Sequence, residues 1–160
     1  MEKIAVFPGS FDPFTIGHES IVRRALSLFD KIIIAVGSNV NKRGYFPLEK
    51  RMQWIKNVFK DEEKVNVDYF TGLTIDYCKN VKAGYLLRGL RTSADFEYER
   101  AIGQVNKALN QNIETVFLLT KPEHTYVKST IVRDIIVNGG DASQFLPDGV
   151  NVEEFQTFKK

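Results

Sequence analysis

The sequence of 160 residues predicts an α/β protein: a doubly wound, five-stranded parallel sheet within one domain that spans residues 1–160. The first observation is that short runs rich in β-branched residues alternate with segments of helical period, as in βαβ units. The second is that three of the five runs are almost continuously apolar. Such strands are covered on both faces, which indicates parallel strands joined by right-handed crossovers.

Each predicted strand ends at a polar or glycine-containing loop. The strands are residues 3–8, 31–38, 64–70, 84–89 and 115–120. The predicted helices carry apolar residues three or four positions apart. They are residues 18–29, 48–59, 95–110 and 130–137, with a weaker pattern at 74–81. Pro47 suits the first turn of the second helix, and Asn138-Gly139-Gly140 closes the last. We expect residues 141–160 to form a short helix or turn around Phe145, Pro147 and Asp148 and then a helical tail.

Composition narrows the class of protein. With 43% hydrophobic and 26% charged residues, the chain can bury a core without disulfides, and the single Cys78 cannot form an internal one. No signal-peptide pattern is present, so we expect a cytoplasmic protein. The longest apolar run, residues 32–36, is far shorter than the roughly 20 residues of a membrane span. A net charge of +2, with basic residues dispersed, argues against a nucleic-acid partner.

The loop 8–18, which follows the first strand, has the chemistry of an anion site. It lacks both the G-x-G-x-x-G and the G-K-[ST] patterns. Gly17 leaves backbone N–H groups accessible at a helix start, where the dipole favours phosphate, and Ser10 adds a hydroxyl. His18, in the first helical turn, can place a ring N–H on a phosphoryl oxygen. The alternative is that Ser10 is a turn residue and His18 an incidental polar residue.

Two arginines end the fourth strand. Gly89 lets the backbone bend close to a ligand, while Arg88 and Arg91 offer planar donors that match phosphate. In doubly wound sheets, ligands bind beyond the carboxyl ends of the strands, so we expect both guanidinium groups to face the ligand. The alternative is that they pair with carboxylates of the following helix, such as Glu99.

Two further loops at the same edge carry candidate phosphate ligands. Lys42 lies in a polar loop after the second strand and can move onto a phosphate, unless it is only a solvated lysine. Ser129 and Thr130 begin the last helix, where hydroxyls and unpaired N–H groups make a second anion site or an ordinary N-cap. Arg133, one turn further on, is expected to pair with an acid. The sequence has no Cys/His cluster with zinc spacing, so no metal site is predicted.

These motifs together carry a family resemblance. "GSFDPFTIGH" resembles the T/H-x-G-H signature of the nucleotidyltransferase superfamily, which stands here as Thr15-Ile16-Gly17-His18. With "LLRGLRTSADFEYE", Lys42 and "YVKSTIVRD" in order, nearly the whole chain resembles the bacterial phosphopantetheine adenylyltransferases. The resemblance implies a Rossmann-like nucleotidyltransferase fold and adenylyl transfer from ATP to 4′-phosphopantetheine by direct in-line attack, without a covalent intermediate. It also implies Mg²⁺ carried with ATP and a homohexamer.

The resemblance implies three groups of site residues. The catalytic residues are His18, Lys42 and Arg91. The residues that bind phosphopantetheine are Ser10, Lys42, Leu73, Thr74 and Arg88. The residues that bind ATP are Ser10, Phe11, Gly17, His18, Arg88, Gly89, Leu90, Arg91, Glu99, His124, Thr125, Tyr126, Val127, Lys128, Ser129 and Thr130. Lys128 departs from the family, which usually has a serine there, and His124 stands where an aromatic residue is frequent.

Three other functions compete with this interpretation. Another nucleotidyltransferase, such as a cytidylyltransferase or a nicotinamide mononucleotide adenylyltransferase, would share the T/H-x-G-H loop, but "RGLR" and "DFEYE" argue against it. A non-catalytic nucleotide sensor would have no need of Ser10, His18, Lys42 and Arg91 together. An RNA-binding module predicts a basic stripe or an exposed aromatic platform, and the sequence indicates neither.

Overall fold

The computed structural model describes residues 1–39, 41 and 43–156. Its sheet is all-parallel and has the strands β1 (Ile4–Gly9), β2 (Lys31–Gly37), β3 (Val65–Phe70), β4 (Tyr85–Leu90) and β5 (Glu114–Leu119). Their order across the sheet is β3-β2-β1-β4-β5. The predicted doubly wound five-stranded parallel sheet is therefore confirmed.

The helices match the predicted segments, with differences at their ends. They are α1 (Ile16–Ala25), α2 (Leu48–Val58), α3 (Thr74–Asn80), α4 (Ser93–Leu109) and α5 (Ser129–Val137). Short 3-10 turns occupy Pro122–His124, Ser143–Phe145 and Glu153–Phe155. Because α1 begins at Ile16, His18 lies in its first turn as predicted.

The helical tail predicted after the turn at Phe145 is wrong for the part of it that the structure describes. A turn at 148–149 follows, closed by the Val150 N–H donating to the Pro147 carbonyl at 3.2 Å, and the only helical structure beyond it, up to residue 156, is the 3-10 turn at Glu153–Phe155. Val150 and Val152 are buried, and Phe155 packs against Phe46 with ring centroids 5.1 Å apart. Packing of separate apolar side chains on the core therefore decides the path of this segment. Residues 157–160 lie outside the described residues.

Alternate residues of the inner strands point to opposite faces, and both faces are buried. In β2, Ile32, Ile34 and Val36 belong to the larger core cluster with α1, α2 and α5, whereas Ile33 and Ala35 pack in the cluster on the α3 side. This arrangement explains the continuous apolar runs, because a strand between two helical layers has no solvent face. None of the helices in the described ranges has the length and apolar character needed to cross a bilayer.

The helix α4 differs from the other helices because none of its residues is buried. Its apolar residues, four of them on one stripe, instead remain exposed: Phe96, Tyr98, Ile102, Val105 and Leu109. The spacing of apolar residues in 95–110 predicts a helix there, and among the described residues nothing buries its stripe.

A crevice opens between β1 and β4. Strand order reverses at this point, and β1 pairs with β4 only at Ala5–Tyr85 and Val6–Leu86. By contrast, β1 and β2 pair along their full length, from Ile4–Lys31 to Gly9–Val36. The carboxyl ends of β1 and β4 are consequently free to hold a ligand, as is usual at a switch point.

Candidate active site

The crevice holds a cavity of about 370 Å³ at the carboxyl ends of β1 and β4. The starts of α1 and α5 close two of its sides. Thirteen of the predicted site residues line it: Ser10, Phe11, Gly17, His18, Arg88, Gly89, Arg91, Glu99, His124, Val127, Lys128, Ser129 and Thr130. Residues from three distant parts of the chain, 10–18, 88–99 and 124–130, thus meet in one cleft.

Three predicted residues are placed differently. The Leu90 side chain is buried at the end of β4, away from the cleft wall. Thr125 and Tyr126 follow the 3-10 turn at Pro122–His124 and do not line the cavity, and the Tyr126 ring lies near that of Phe145 instead. Lys42 lies outside the described residues.

The position of His18 is set by Thr15, the N-cap of α1. The Thr15 backbone N–H donates to His18 Nδ1 at 3.0 Å, and the Thr15 hydroxyl oxygen accepts from the His18 backbone N–H at 3.5 Å. A ring nitrogen that accepts carries no proton, so the imidazole proton resides on Nε2. From sequence, Thr15 was predicted only as part of the T/H-x-G-H signature. It precedes His18 by three residues, which is the spacing of a capping box, and this spacing could have revealed its role as the N-cap.

The His18 ring lies in an aromatic pocket that keeps it neutral. Three phenylalanine rings lie within 5.0 to 6.3 Å of it, centroid to centroid: Phe11, Phe14 and Phe7. Burial, and then the positive charges of Arg91 and Arg88, lower the pKa of His18 from 6.5 to about 3. At neutral pH the side chain is therefore an uncharged N–H donor and not an acid.

A tight turn brings the loop 8–18 into the cleft. Phe11 has a left-handed backbone, with φ 46°, a conformation that is strained for a residue with a Cβ. Its ring turns back under the strand end, where a Cβ at Gly9 would lie 2.8 Å from the ring. Glycine is required at position 9 because any side chain there would expel the ring that packs against His18.

Arg88 projects from β4, since the strand continues to Leu90. It makes a bidentate ion pair with Glu99, at 2.9 Å from Nε and 2.6 Å from Nη2, and Nη1 donates to the Pro8 carbonyl at 2.9 Å. The ion pair that the sequence analysis gave as an alternative is therefore real, and it lies inside the cleft. It holds the guanidinium at the switch point, where N–H groups of the five-donor fork remain available.

Arg91 follows β4 directly. Its backbone N–H donates to the Asp95 carboxylate at 3.0 Å, and Nε lies 3.5 Å from the same oxygen. This contact with a residue in the first turn of α4 holds Arg91 at the cleft, which both residues line. Arg88 and Arg91 thus place two positive charges beside His18.

The start of α5 forms the opposite wall. Lys128 is the N-cap residue and makes no side-chain capping bond, while the Ser129 hydroxyl donates to the Pro13 carbonyl at 2.9 Å. Ser129 is therefore not the N-cap that the sequence allowed; it fastens α5 to the loop before α1. Lys128, the departure from the family pattern, lines the cleft and adds a positive charge.

Two further cavities adjoin the cleft, and Thr74 at the start of α3 lines both. One also includes Ser10 and the loops after β2 and β3. The other runs between Arg88 and the α4 residues Ile102 and Asn106. Leu73 is exposed just before α3. A chain-like ligand could pass from the cleft into either space.

Acidic residues at the cleft do not form a metal cage. Within the described residues, no group of three or more His, Cys, Asp or Glu side chains lies close enough together to hold a metal ion. Glu99 and Asp95 are already paired with arginines.

Comparison with known proteins identifies relatives of the chain. Residues 6–135 match the cytidylyltransferase-like family. A phosphopantetheine adenylyltransferase from Flavobacterium psychrophilum is 52% identical and covers 93% of this chain and 98% of its own. One from Caldanaerobacter subterraneus is 46% identical over 99% of both chains. Among solved structures, a putative nicotinate-nucleotide adenylyltransferase from Vibrio parahaemolyticus superposes with a TM-score of 0.69 at 20% identity. The superposition covers 94% of this chain and 96% of that one, which shows the shared fold.

Proposed function

The chain belongs to the phosphopantetheine adenylyltransferase family of nucleotidyltransferases, and we propose that it joins ATP and 4′-phosphopantetheine by direct in-line attack, without a covalent intermediate. The family predicted from the sequence motifs is confirmed. The products are dephospho-coenzyme A and pyrophosphate. The observation that carries the proposed mechanism is the meeting of His18, Arg88 and Arg91 at one crevice.

The chemistry requires positioning more than proton transfer. An oxygen of the phosphate monoester attacks the α-phosphorus of ATP, a new P–O bond forms, and the bond to the bridging oxygen of pyrophosphate breaks. Since the nucleophile is already an anion, no general base is needed. The enzyme must align two anions that repel each other and stabilise charge on the α-phosphoryl group.

His18 is proposed to supply the fixed donor for that charge. Nδ1 is occupied by the Thr15 N–H, so Nε2–H is the atom left for a phosphoryl oxygen. A neutral imidazole donates this hydrogen bond without any protonation step, and the low pKa of His18 supports that state. Arg91 and Lys42 are proposed as the cations that accompany it.

The two substrates are proposed to approach from different sides. Arg88, Ser10 and Lys42 bind the phosphate of 4′-phosphopantetheine. ATP binds between Arg91 and the start of α5, where the dipole of the helix and the Lys128 charge favour its phosphates. The proposed ATP-binding residues are the same ones that were predicted from the sequence. Leu90 could contribute only through its backbone atoms, because its side chain is buried.

The pantetheine arm is proposed to leave the cleft through the cavity between Thr74 and α4. This cavity combines apolar walls, at Leu86 and Ile102, with the amide of Asn106. An amphipathic arm with amide groups needs that mixture. Leu73 stands at the rim, where it can cover part of the arm.

Mg²⁺ is proposed to arrive as part of the ATP substrate. The arginine-paired acids of the cleft offer it no protein cage, whereas nucleotide phosphates and water supply the oxygen ligands that Mg²⁺ prefers. The protein's own part is then to hold the nucleotide that carries the ion.

A homohexamer is proposed as the assembly. The exposed stripe of α4, at Tyr98, Ile102, Val105 and Leu109, supports contact between copies of the chain, because such a patch is costly to leave in water. Leu119, also exposed, lies at the end of the adjacent strand β5.

The deciding experiment uses the purified full chain with ATP, Mg²⁺ and 4′-phosphopantetheine, and measures dephospho-coenzyme A and pyrophosphate. Parallel reactions replace ATP by CTP, or the acceptor by nicotinamide mononucleotide. Turnover only with ATP and 4′-phosphopantetheine is expected. Folded protein that uses a different acceptor, or that binds ATP without turnover, would contradict the proposal.

A further inference from the structure

Arg51 of α2 joins two loops that come from different strands. Its side chain is only 6% exposed. Nη1 donates to the Ser10 carbonyl at 2.6 Å, and Nε donates to the Phe46 carbonyl at 2.9 Å. Ser10 follows β1, whereas Phe46 ends the loop that follows β2. One guanidinium therefore sets the spacing between both loops.

Asp12 completes this connection from the other side. Asp12 is 5% exposed, and its carboxylate accepts hydrogen bonds from the backbone N–H groups of Tyr45 at 2.8 Å and Phe46 at 2.9 Å. Arg133 of α5 also donates to it at 3.2 Å, which confirms the predicted pairing of Arg133 with an acid. Burial lowers the pKa of Arg51, and the negative charge of Asp12 opposes that shift.

The loop after β2 is also packed directly against this pair. A Cβ at Gly44 would lie 3.0 Å from Arg51 Nη2 and 3.2 Å from an Asp12 carboxylate oxygen. Gly44 follows Lys42 by two residues. The described segment 43–47, which leads into α2, is thus held at its backbone by side chains that also hold the loop of Ser10.

We propose that Arg51 is a positioning residue for the binding of the acceptor phosphate. A buried guanidinium is a poor source of net stability, because desolvation offsets much of what its hydrogen bonds contribute. Its planar fork does supply fixed geometry between two acceptors. That geometry keeps Ser10 and the loop of Lys42 on the same phosphate. The inference rests on the proposed function, in which these two loops bind 4′-phosphopantetheine.

The arrangement predicts an effect on one substrate. Ser10 belongs to both proposed sets, but the ATP donors Arg91 and Thr130 lie just after β4 and in α5, and the hydrogen bonds of Arg51 go to neither place. Misplacing the loops of Ser10 and Lys42 should therefore weaken the acceptor far more than the nucleotide.

The test compares Arg51→Lys and Gly44→Ala with the wild type. Lysine keeps the charge but cannot span both carbonyl oxygens, and alanine leaves Arg51 present while its Cβ displaces the guanidinium. We expect kcat/KM for 4′-phosphopantetheine to fall by about 10²-fold, mainly through KM, with KM for ATP changed little. Arg23→Lys is the control, since Arg23 of α1 similarly donates to the Val58 carbonyl, away from the cleft.

The outcomes distinguish a failure of the positioning role of Arg51 from a failure of the proposed function. KM does not depend on the fraction of folded enzyme, so a KM effect confined to the acceptor supports positioning even if a variant is less stable. Wild-type KM values in both variants, equal increases for both substrates, or the same effect in Arg23→Lys would overturn the inference alone. A wild type that makes no dephospho-coenzyme A overturns the proposed function, and this inference falls with it.

Discussion

The Thr15 amide and His18 Nδ1 lie 3.0 Å apart, at the first turn of α1. The Thr15 hydroxyl oxygen also lies 3.2 Å from Nδ1, but the backbone N–H can only donate, so Nδ1 accepts and the ring proton is on Nε2. It follows that helix capping and transition-state stabilisation use the same pair of residues, and mutations of the two can be told apart.

Replacing His18 by alanine should lower turnover by about 10²–10³-fold, the usual effect of removing one oriented donor. ATP should still bind, because Arg91 and the start of α5 are unchanged. Steady-state rates and calorimetric titration with ATP measure the two effects. Turnover close to that of the wild type would remove His18 from the mechanism.

Replacing Thr15 by valine removes the capping oxygen but leaves the backbone N–H that fixes Nδ1. We expect the free energy of unfolding to fall by about 1 kcal/mol, with turnover reduced much less than in His18→Ala. Thr15→Ser, which keeps the oxygen, is the matched control. A loss of turnover as large as that of His18→Ala would show that the hydroxyl orients the ring.

His18 should remain neutral across the physiological range. Because its pKa is lowered from 6.5 to about 3, its imidazole NMR signals should not titrate between pH 8 and pH 5. The unfolded chain takes up this proton as pH falls through 6.5, whereas the folded protein does so only near pH 3. His18 therefore reduces stability progressively as pH falls between these values.

The same linkage can be measured by denaturant unfolding. His18→Gln lacks the titrating group, so its free energy of unfolding should fall less steeply than that of the wild type between pH 6.5 and pH 4. Parallel pH profiles would contradict the assigned neutral state.

Replacing Arg88 by lysine keeps a positive charge but loses the bidentate fork. The resulting loss, about 1.5–3 kcal/mol for hydrogen bonds to a charged group, should raise KM for 4′-phosphopantetheine by roughly 10-fold or more. Arg100→Lys is the control, since Arg100 forms an exposed ion pair with Glu97 on the same helix as Glu99. Equal KM values in Arg88→Lys and the control would exclude Arg88 as a phosphate ligand.

Replacing Val105 by glutamate should break the proposed contact between copies. Val105 is 58% exposed on the α4 stripe, so the charge can be accommodated in a separate chain but not in an apolar interface. Light scattering should report a smaller particle with unchanged circular dichroism. Arg100→Glu, on the opposite side of α4, should leave the mass unaltered.

Much of the architecture could be predicted from local pattern. The run at 31–38 is apolar without alternation because β2 lies between two helical layers, and this is visible in sequence alone. The prediction of a helical tail is wrong for the described residues, because the few apolar residues there pack on the core individually and have no helical spacing. The sequence alone does not distinguish a ligand from a carboxylate as the partner of Arg88. In the structure Arg88 pairs with Glu99 and also lines the cleft.

The elements, their parallel arrangement and the loops that carry phosphate-binding chemistry follow from local pattern, because hydrophobic periodicity and helix-start signals act over a few residues. The folded chain was needed to show which nitrogen of His18 is a donor, how Arg51 joins the loops of Ser10 and Phe46, and which face of α4 stays uncovered. Those properties depend on distances between residues far apart in the chain, and such distances exist only once the sheet has formed.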